Sequence, residues 1–584
     1  MTITPSDPSG TVAVTGPTDF SAVIANDSKA DSTVTWTVAD GGAISTTTGL
    51  HTVFTPAPGA GGTATLTAAT PSGLKATVKV AFGPGVLTSS TISTLLAPVT
   101  VLYDAEDIPH IKCATAIDCI TVQGYIHARD RFFMMDFLRH VGRSNLAELI
   151  GVDGLSQDIT IRTLFKTRDG KRLEEELVAH MDPTMLALIT AYTSGVNAYL
   201  ADLKAHPGNL PGEYKQLPFP PSPTDIADWS PADTMAVARL QQFQLSETLD
   251  EEVSFATFAS VYAPGQTPPA PHPDLARYQA WIRSAAPKGE QAHTLSATPH
   301  TGAIAKATKR AAMPSLSPYL DSLKSYGKQL EALNARIRPF EATVGSNNWV
   351  ISAAKSKTGK AMVANDPHLG LQYPPLFHLA AMTSANADDH LDLTGGAFPG
   401  IPGALVGRGQ HVGWGVTVVG YDVTDIYQES GTFGPVPTQV IYKGAPEALV
   451  LVPETFLVRT ANGLVNAHTL EVSGTVPGVG TVPPVTVIAP HHGPIIKILS
   501  NSIALSARWT GQEGNTQDLS AFYGLDTATD VDSAMVALKN YATGAQNFVL
   551  ADDQGHIGYD PHALVPKRPW ANESSATPHL PWLP

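Results

Sequence analysis

Gly345-Ser346-Asn347-Asn348-Trp349, followed shortly by Asn365-Asp366-Pro367-His368-Leu369, is the stretch on which the reading of this 584-residue chain turns. A serine hydroxyl is a poor nucleophile until a base takes its proton. A serine standing at a chain terminus carries such a base on its own residue, because an α-amine titrates near pKa ~7.7–8.0, close to working pH. The other familiar hydrolytic signatures are missing: there is no G-x-S-x-G elbow and no H-E-x-x-H zinc helix. A serine after a glycine is, taken alone, most often a turn residue, so its neighbours have to decide.

The bulk composition sets the frame. Hydrophobic residues make up 43% and charged residues 15% of the chain, the latter well below the usual ~25%, and the mean hydropathy is near zero. Such a chain can build sizeable globular cores and is long enough for several domains. Its Thr, Ser, Ala, Gly and Pro content is common in exported, strand-rich proteins. A net charge of −15 argues against a nucleic-acid partner, which needs a basic face. No apolar run reaches the ~18 residues of a membrane span. The segment opening at Met1 lacks the basic-then-apolar pattern of a signal peptide, so the protein either stays inside the cell or the chain starts after its signal. Cys113 and Cys119 allow two readings, separate buried thiols or a small disulfide loop suited to an oxidising compartment. With only His110 nearby, a zinc site falls short of four ligands.

Texture divides the chain into four parts. Residues 1–85 predict an all-β domain, with short β-branched runs at Val12–Val14, Thr33–Val38, Thr63–Ala69 and Ala76–Ala81 between turn residues, and Gly83-Pro84-Gly85 as a linker. Residues 86–287 open with a strand at Val99–Leu102 and a long amphipathic helix over Ile117–Arg139, in which Val122, Ile126, Phe133 and Phe137 share a face. Residues 288–345 read as a linker rich in Ala, Thr, Pro, Ser and Lys, ending in a helix marked by Leu320, Leu323, Leu330, Leu333 and Ile337. Residues 346–584 form the last part.

Ordered landmarks follow. They are Gly124-Tyr125-Ile126-His127-Ala128-Arg129-Asp130-Arg131 with Gly142-Arg143-Ser144-Asn145-Leu146; the Ser346 to Leu369 stretch; Trp414-Gly415-Val416-Thr417-Val418 with Asp422-Val423-Thr424-Asp425; and Gln546-Asn547-Phe548-Val549 with Pro566-Lys567-Arg568. Over roughly residues 95–570 the chain resembles the penicillin amidase family of N-terminal-nucleophile hydrolases. The pattern Trp36-Thr37-Val38-Ala39-Asp40-Gly41-Gly42 resembles bacterial Ig-like domains, used as spacers or adhesive modules. The resemblance implies an α+β fold: an αββα sandwich of two stacked antiparallel sheets between helices, preceded by an Ig-like β-sandwich.

It also implies roles. The chain would cut itself between Gly345 and Ser346, the 288–345 segment being a removable spacer, and the two products would form a heterodimer of small and large chains. Ser346 would then attack a small-molecule acyl amide with its own α-amine as base. The Val418 N–H and the Asn547 side-chain amide would hold the oxyanion. His368 would orient the amine or touch substrate, Arg568 would stand near the site, and Leu369 would line the acyl pocket. Arg239 has two readings, a substrate-carboxylate contact or a structural helix arginine. Ca²⁺ would sit on Asp422, Asp425, the Thr424 carbonyl and Glu247, a hard-oxygen set; a solvated acidic turn is the alternative. Family members work in the periplasm or outside the cell.

Relatives continue for a few hundred residues beyond the Asn547 segment, so this chain is expected to be a fragment or a short member lacking part of the sandwich. Two other functions stay open. One is an acyl-homoserine-lactone or long-chain acylase of the same class; the other is an inactive acylase fold used for surface binding.

Overall fold

The computed structural model describes residues 1–4, 11–14, 17–25, 33–39, 42–56, 62–82, 85–104, 106–246, 248, 328, 345–370, 373–472 and 482–567. The expected spacer therefore lies outside the described residues except for Lys328 and Gly345, as do Glu247 and Arg568.

Among the described residues, the first 82 build two four-stranded sheets. One runs Thr2–Thr4, Thr18–Val23, His51–Pro56, Gly42–Ile44; the other runs Thr11–Val14, Lys75–Phe82, Gly62–Ala69, Thr35–Ala39. Period-2 alternation sends Phe20, Trp36, Phe54, Leu66, Val80 and Phe82 into one shared core. Three of the four expected strands fall inside these elements, and the fourth, expected over Thr33–Val38, begins at Thr35. Gly85–Leu87 is a strand paired with Val99–Tyr103 of the larger body.

That body is organised by a nine-stranded sheet. Its order is Ile557–His562, Gln546–Asp552, Val412–Val418, Val406–Arg408, Asp392–Ala397, His378–Ser384, Pro109–Cys113, Val99–Tyr103, Gly85–Leu87. All neighbours are antiparallel except Pro109–Cys113 with His378–Ser384, which joins the early part of the chain to the later part. A helical layer of Ala116–Gly142, Pro183–Ala205 and Pro231–Ser246 covers it.

The Ala116–Gly142 helix begins where Thr115 accepts the Asp118 N–H and continues past the expected end at Arg139. It kinks at Arg131 (φ −143°, ψ 23°), within the charged triplet that interrupts its apolar face. Glycine lets it approach Pro183–Ala205 closely: a Cβ on Gly195 would run into the Thr121 carbonyl, and one on Gly124 into the Tyr192 carbonyl. Below this contact the buried Asp136 accepts from Arg139 Nε at 2.7 Å and Tyr214 Oη at 2.6 Å. Burial alone would raise the Asp136 pKa, but the Arg139 and His140 charges hold it far below the usual carboxylate range.

Cys113 and Cys119 form a disulfide with Cα atoms 5.5 Å apart, tying the Pro109–Cys113 strand to the start of this helix. Closing so short a loop restricts the unfolded chain by about 2 kcal/mol. Replacing both cysteines by serine is expected to lower stability by roughly that amount, read as a urea midpoint shifted to lower concentration.

Two features depart from a plain two-sheet sandwich. Among the described residues, the layer stacked on the nine-stranded sheet is a single hairpin, Gly345–Ile351 with Met362–His368. In addition, a separate seven-stranded antiparallel sheet extends from Thr424–Thr432 and Ile503–Trp509, with its own small core around Phe433, Val440, Leu449 and Ile495. The fold is α+β.

Candidate active site

The hairpin carries Ser346. Its register sets Gly345 opposite His368, Ser346 opposite Pro367 and Asn348 opposite Asn365. Alternation then divides the two strands. Ser346, Asn348, Asn365 and Pro367 are partly covered, whereas Asn347, Trp349, Asp366 and His368 are exposed.

Two asparagines fasten the hairpin to the sheet beneath. Asn365 Oδ1 accepts from Val416 N at 3.1 Å, and its Nδ2 donates to Val416 O at 3.0 Å and to Asn347 O at 3.2 Å. Asn348 Nδ2 donates to Gly415 O at 3.2 Å and Asn547 O at 3.3 Å. The close approach needs the glycine: a Cβ on Gly415 would stand 3.0 Å from Asn365 Cβ. Asn365→Ala removes a bidentate mimic of strand pairing and leaves the Val416 backbone groups without that partner. At about 1–3 kcal/mol for such a loss, the expected result is a fall in stability of that order, read as a lowered urea midpoint.

The same edge explains the oxyanion candidate. Val419 N donates to Ala545 O at 2.9 Å, and N–H groups alternate in direction along an antiparallel strand. Val418 N–H therefore points to the opposite edge, where the Val406–Arg408 strand pairs only as far as Trp414. Asn365 caps this open edge at Val416, and Val418 N–H is next along it.

Ser346, Leu369 and Val418 line one apolar cavity of about 90 Å³, together with Phe377, Phe398 and Phe522. Helix Pro231–Ser246 closes it through Gln241 and Leu245. A second cavity of about 510 Å³, lined by Phe133, Met134, Phe137 and Tyr199, lies against the kink at Arg131.

Asn547 sits beside Thr417 in the ladder. Tyr559 Oη donates to its Oδ1 at 2.7 Å, which turns the Nδ2 hydrogens toward Thr417 Oγ1 and Val418 O, each at 3.2 Å. The amide is thus at the site, but its donors are engaged within the sheet. His368 pairs through Nε2 with Asp366 Oδ2 at 2.9 Å. Its Nδ1 lies 3.5 Å from where a Cβ on Gly345 would stand, so the imidazole borders the Gly345–Ser346 bond and does not line the cavity.

Arg239 is brought elsewhere. It is 1% exposed, its Nη2 donating to Thr516 Oγ1 at 2.7 Å and facing Asp518 Oδ2 at 3.5 Å. Asp518 in turn accepts from Ala542 N and Thr543 N, both at 2.7 Å. The buried arginine thus braces the approach to the Asn547 strand and lines neither cavity; burial lowers its pKa.

Asp422, Thr424 and Asp425 follow the Val418 strand, with Thr424 and Asp425 buried. Thr248 Oγ1 donates to Asp422 Oδ1 at 3.2 Å, and Thr248 N to Thr424 Oγ1 at 3.4 Å. The residue after Glu247 therefore lies against this turn. Among the described residues no three His, Cys, Asp or Glu side chains are grouped to hold a metal.

Asn348, Asn365, Thr417, Tyr559 and Leu245 are the site residues that the sequence reading did not single out for a role. Asn348 and Asn365 were legible in principle as polar residues on the covered side of alternating strands. Tyr559 comes from the strand hairpinned onto that of Asn547, whereas Leu245 comes from a distant helix and carries no local signal.

The family profile described as Penicillin amidase matches residues 98–583. The chain is similar to the "Acyl-homoserine lactone acylase QuiP" of Pseudomonas aeruginosa, 24% identical over 495 residues, covering 82% of this chain and 50% of that protein. It is similar to the "Penicillin acylase 2 proenzyme" of Pseudomonas sp. (strain SE83), 29% identical and covering 58% of this chain and 39% of that one. It is also similar to the "Penicillin G acylase" of Escherichia coli, 24% identical over 83% of this chain and 55% of that protein. Among solved structures, a thermostable penicillin G acylase from Alcaligenes faecalis matches at 22% identity over 37% of this chain and 35% of that chain, with a TM-score of 0.30. The chain spans about half the length of the curated relatives it matches. With a profile match over residues 98–583, most of its length, the chain belongs to the penicillin amidase family.

Proposed function

We propose that this chain is an acylase precursor that exposes Ser346 by self-cleavage and then hydrolyses a linear acyl–amine bond. The observation that carries the reading is the convergence of Ser346, Leu369 and Val418 on a single apolar cavity under a hairpin held by Asn348 and Asn365.

In the uncut chain the nitrogen of Ser346 is an amide and no base. Ser346 Oγ attacks the Gly345 carbonyl and the C–N bond breaks, giving an ester that water hydrolyses. His368, beside that bond and paired with Asp366, positions it. In the mature form the free α-amine takes the hydroxyl proton as Oγ attacks the substrate carbonyl. Val418 N–H receives the oxyanion, with Asn547 joining by exchanging its bond to Val418 O. The proton passes to the departing amine, and water then releases the acyl group as a carboxylic acid.

Around this core the αββα sandwich, a periplasmic or secreted location and a heterodimer of the two cleavage products follow from the same reading, and Arg568 is assigned near the site. The first 82 residues are assigned as an Ig-like spacer, supported by their two packed sheets. The Asp422, Thr424 and Asp425 turn with Glu247 is assigned to structural Ca²⁺, supported by the Thr248 contacts and the hard-oxygen donor set. No helix among the described residues is long and apolar enough to cross a membrane.

A second reading is an acyl-homoserine-lactone or other long-chain acylase; the mainly apolar lining beside Ser346, with Leu369, Phe377, Phe398 and Phe522 among the polar Gln241, Gln242, Thr417 and Gln546, suits an aliphatic acyl group. Parallel assays with a phenylacetyl amide and an aliphatic acyl amide separate the two. N-terminal sequencing of purified mature protein tests both: Ser-Asn-Asn-Trp is expected, and its absence in an inactive single chain would leave a binding protein on an acylase fold.

A further inference from the structure

The two cavities near Ser346 share three lining side chains. Gln241, Leu245 and Leu369 line both the 90 Å³ chamber at the nucleophile and the 510 Å³ chamber beyond. Gln241 and Leu245 belong to the last turns of the Pro231–Ser246 helix, and Leu369 follows the strand that ends at His368. The wall is thus built where the chain's earlier half meets the Ser346 hairpin.

Size decides what the inner chamber can take. A dry apolar cavity of about 150 Å³ accepts benzene, and the chamber at Ser346 measures about 90 Å³. It has room for the first few carbons of an acyl chain and not for a phenyl ring or a long tail. The outer chamber is ample, and its apolar flank (Phe132, Phe133, Met134, Phe137) would suit a longer chain. Of the three wall residues, Leu245 is the simplest to shorten: it is partly buried, apolar and has no polar role to lose.

We infer that Leu245 is a specificity-determining residue, acting as the inner partition of the acyl site so that the intact protein favours short aliphatic acyl groups over long ones. This rests on the acylase reading above. Truncating Leu245 joins the chambers and lets a long chain run from Ser346 into the outer one.

The test uses processed protein and its Leu245→Ala variant, with butyryl and decanoyl amides of one shared amine. The parent is expected to favour butyryl. In the variant the decanoyl-to-butyryl ratio of kcat/KM is expected to rise by about tenfold or more, the scale of a pocket change of a few methylenes. A ratio unchanged within about twofold overturns the inference, as does a parent that already prefers decanoyl. So does an altered amine preference with the acyl preference unchanged, which would assign the outer chamber to the amine.

A second measurement needs neither turnover nor the variant to fold. Calorimetric binding of butyrate, hexanoate, octanoate and decanoate to the Ser346→Ala chain should level off after the shorter acids. A steady gain with every added methylene would mean an open channel and overturn the partition. If no acyl amide is hydrolysed by the processed parent, the acylase reading fails, while this length series still decides the wall.

Discussion

A Ser346→Ala chain is expected to run as one full-length band under denaturing conditions, and to show acyl-amide hydrolysis no faster than background. The unsubstituted chain should give two pieces divided at Gly345. Both losses trace to one oxygen. In the precursor it is the attacker on the Gly345 carbonyl, and in the mature protein it is the attacker on substrate. Removing an enzyme's nucleophile costs on the order of 10⁶ in kcat. Here the substitution also withholds the base, because without cleavage the nitrogen stays an amide.

The hairpin itself should be undisturbed. Ser346 is held by the pairing of the Gly345–Ile351 strand with Met362–His368, and the clamps to the sheet below come from Asn348 and Asn365. A thermal melt of the variant close to that of the uncut parent would therefore accompany the loss. Two bands from the alanine chain would overturn the assignment of the nucleophile.

Asn547→Ala is expected to lower kcat by about 10²–10³, or about 2.7–4 kcal/mol, with KM little changed. The split follows from when the amide acts. In the resting structure its Nδ2 hydrogens face Thr417 Oγ1 and Val418 O, so the ground-state complex gains little from it. Only the charge that grows on the carbonyl oxygen competes for those donors, because a bond to an anion is roughly twice as strong as one between neutral groups. Tyr559→Phe should cause a smaller kcat loss in the same direction, since its hydroxyl fixes the amide through Oδ1 at 2.7 Å. An Asn547→Ala enzyme with unchanged kcat and raised KM would assign the side chain to ground-state binding. Stability should shift little, as the Gln546–Asp552 strand is held by backbone pairing on both sides.

The local order of the chain carried much of this. Alternating β-branched runs announced the first domain, because a strand buried on one face repeats every two residues. The helix from Ala116 was visible in its apolar spacing, and even its kink falls where Arg129, Asp130 and Arg131 break that spacing. The Ser346, Val418 and Asn547 segments were recognisable as ordered landmarks. Arg239 shows the limit. A helical arginine near a site has the same sequence signature whether it faces substrate or a buried Asp518, and here it faces Asp518. The cysteines show another: spacing allowed a bridge or two free thiols, and only the 5.5 Å Cα separation chooses the bridge.

Periodicity, turn residues and the Gly-Ser-Asn-Asn-Trp text are properties of neighbours along the backbone, and they were enough for the class of fold and for proposing Ser346 as the attacker. Cavity size, the clamp of Asn365 on Val416, the aim of the Asn547 amide and the wall at Leu245 depend on residues tens to hundreds of positions apart. Such contacts exist only once a nine-stranded sheet has gathered its strands from both halves of the chain, because close packing and hydrogen-bond direction are set by distance in space and not by separation along the chain.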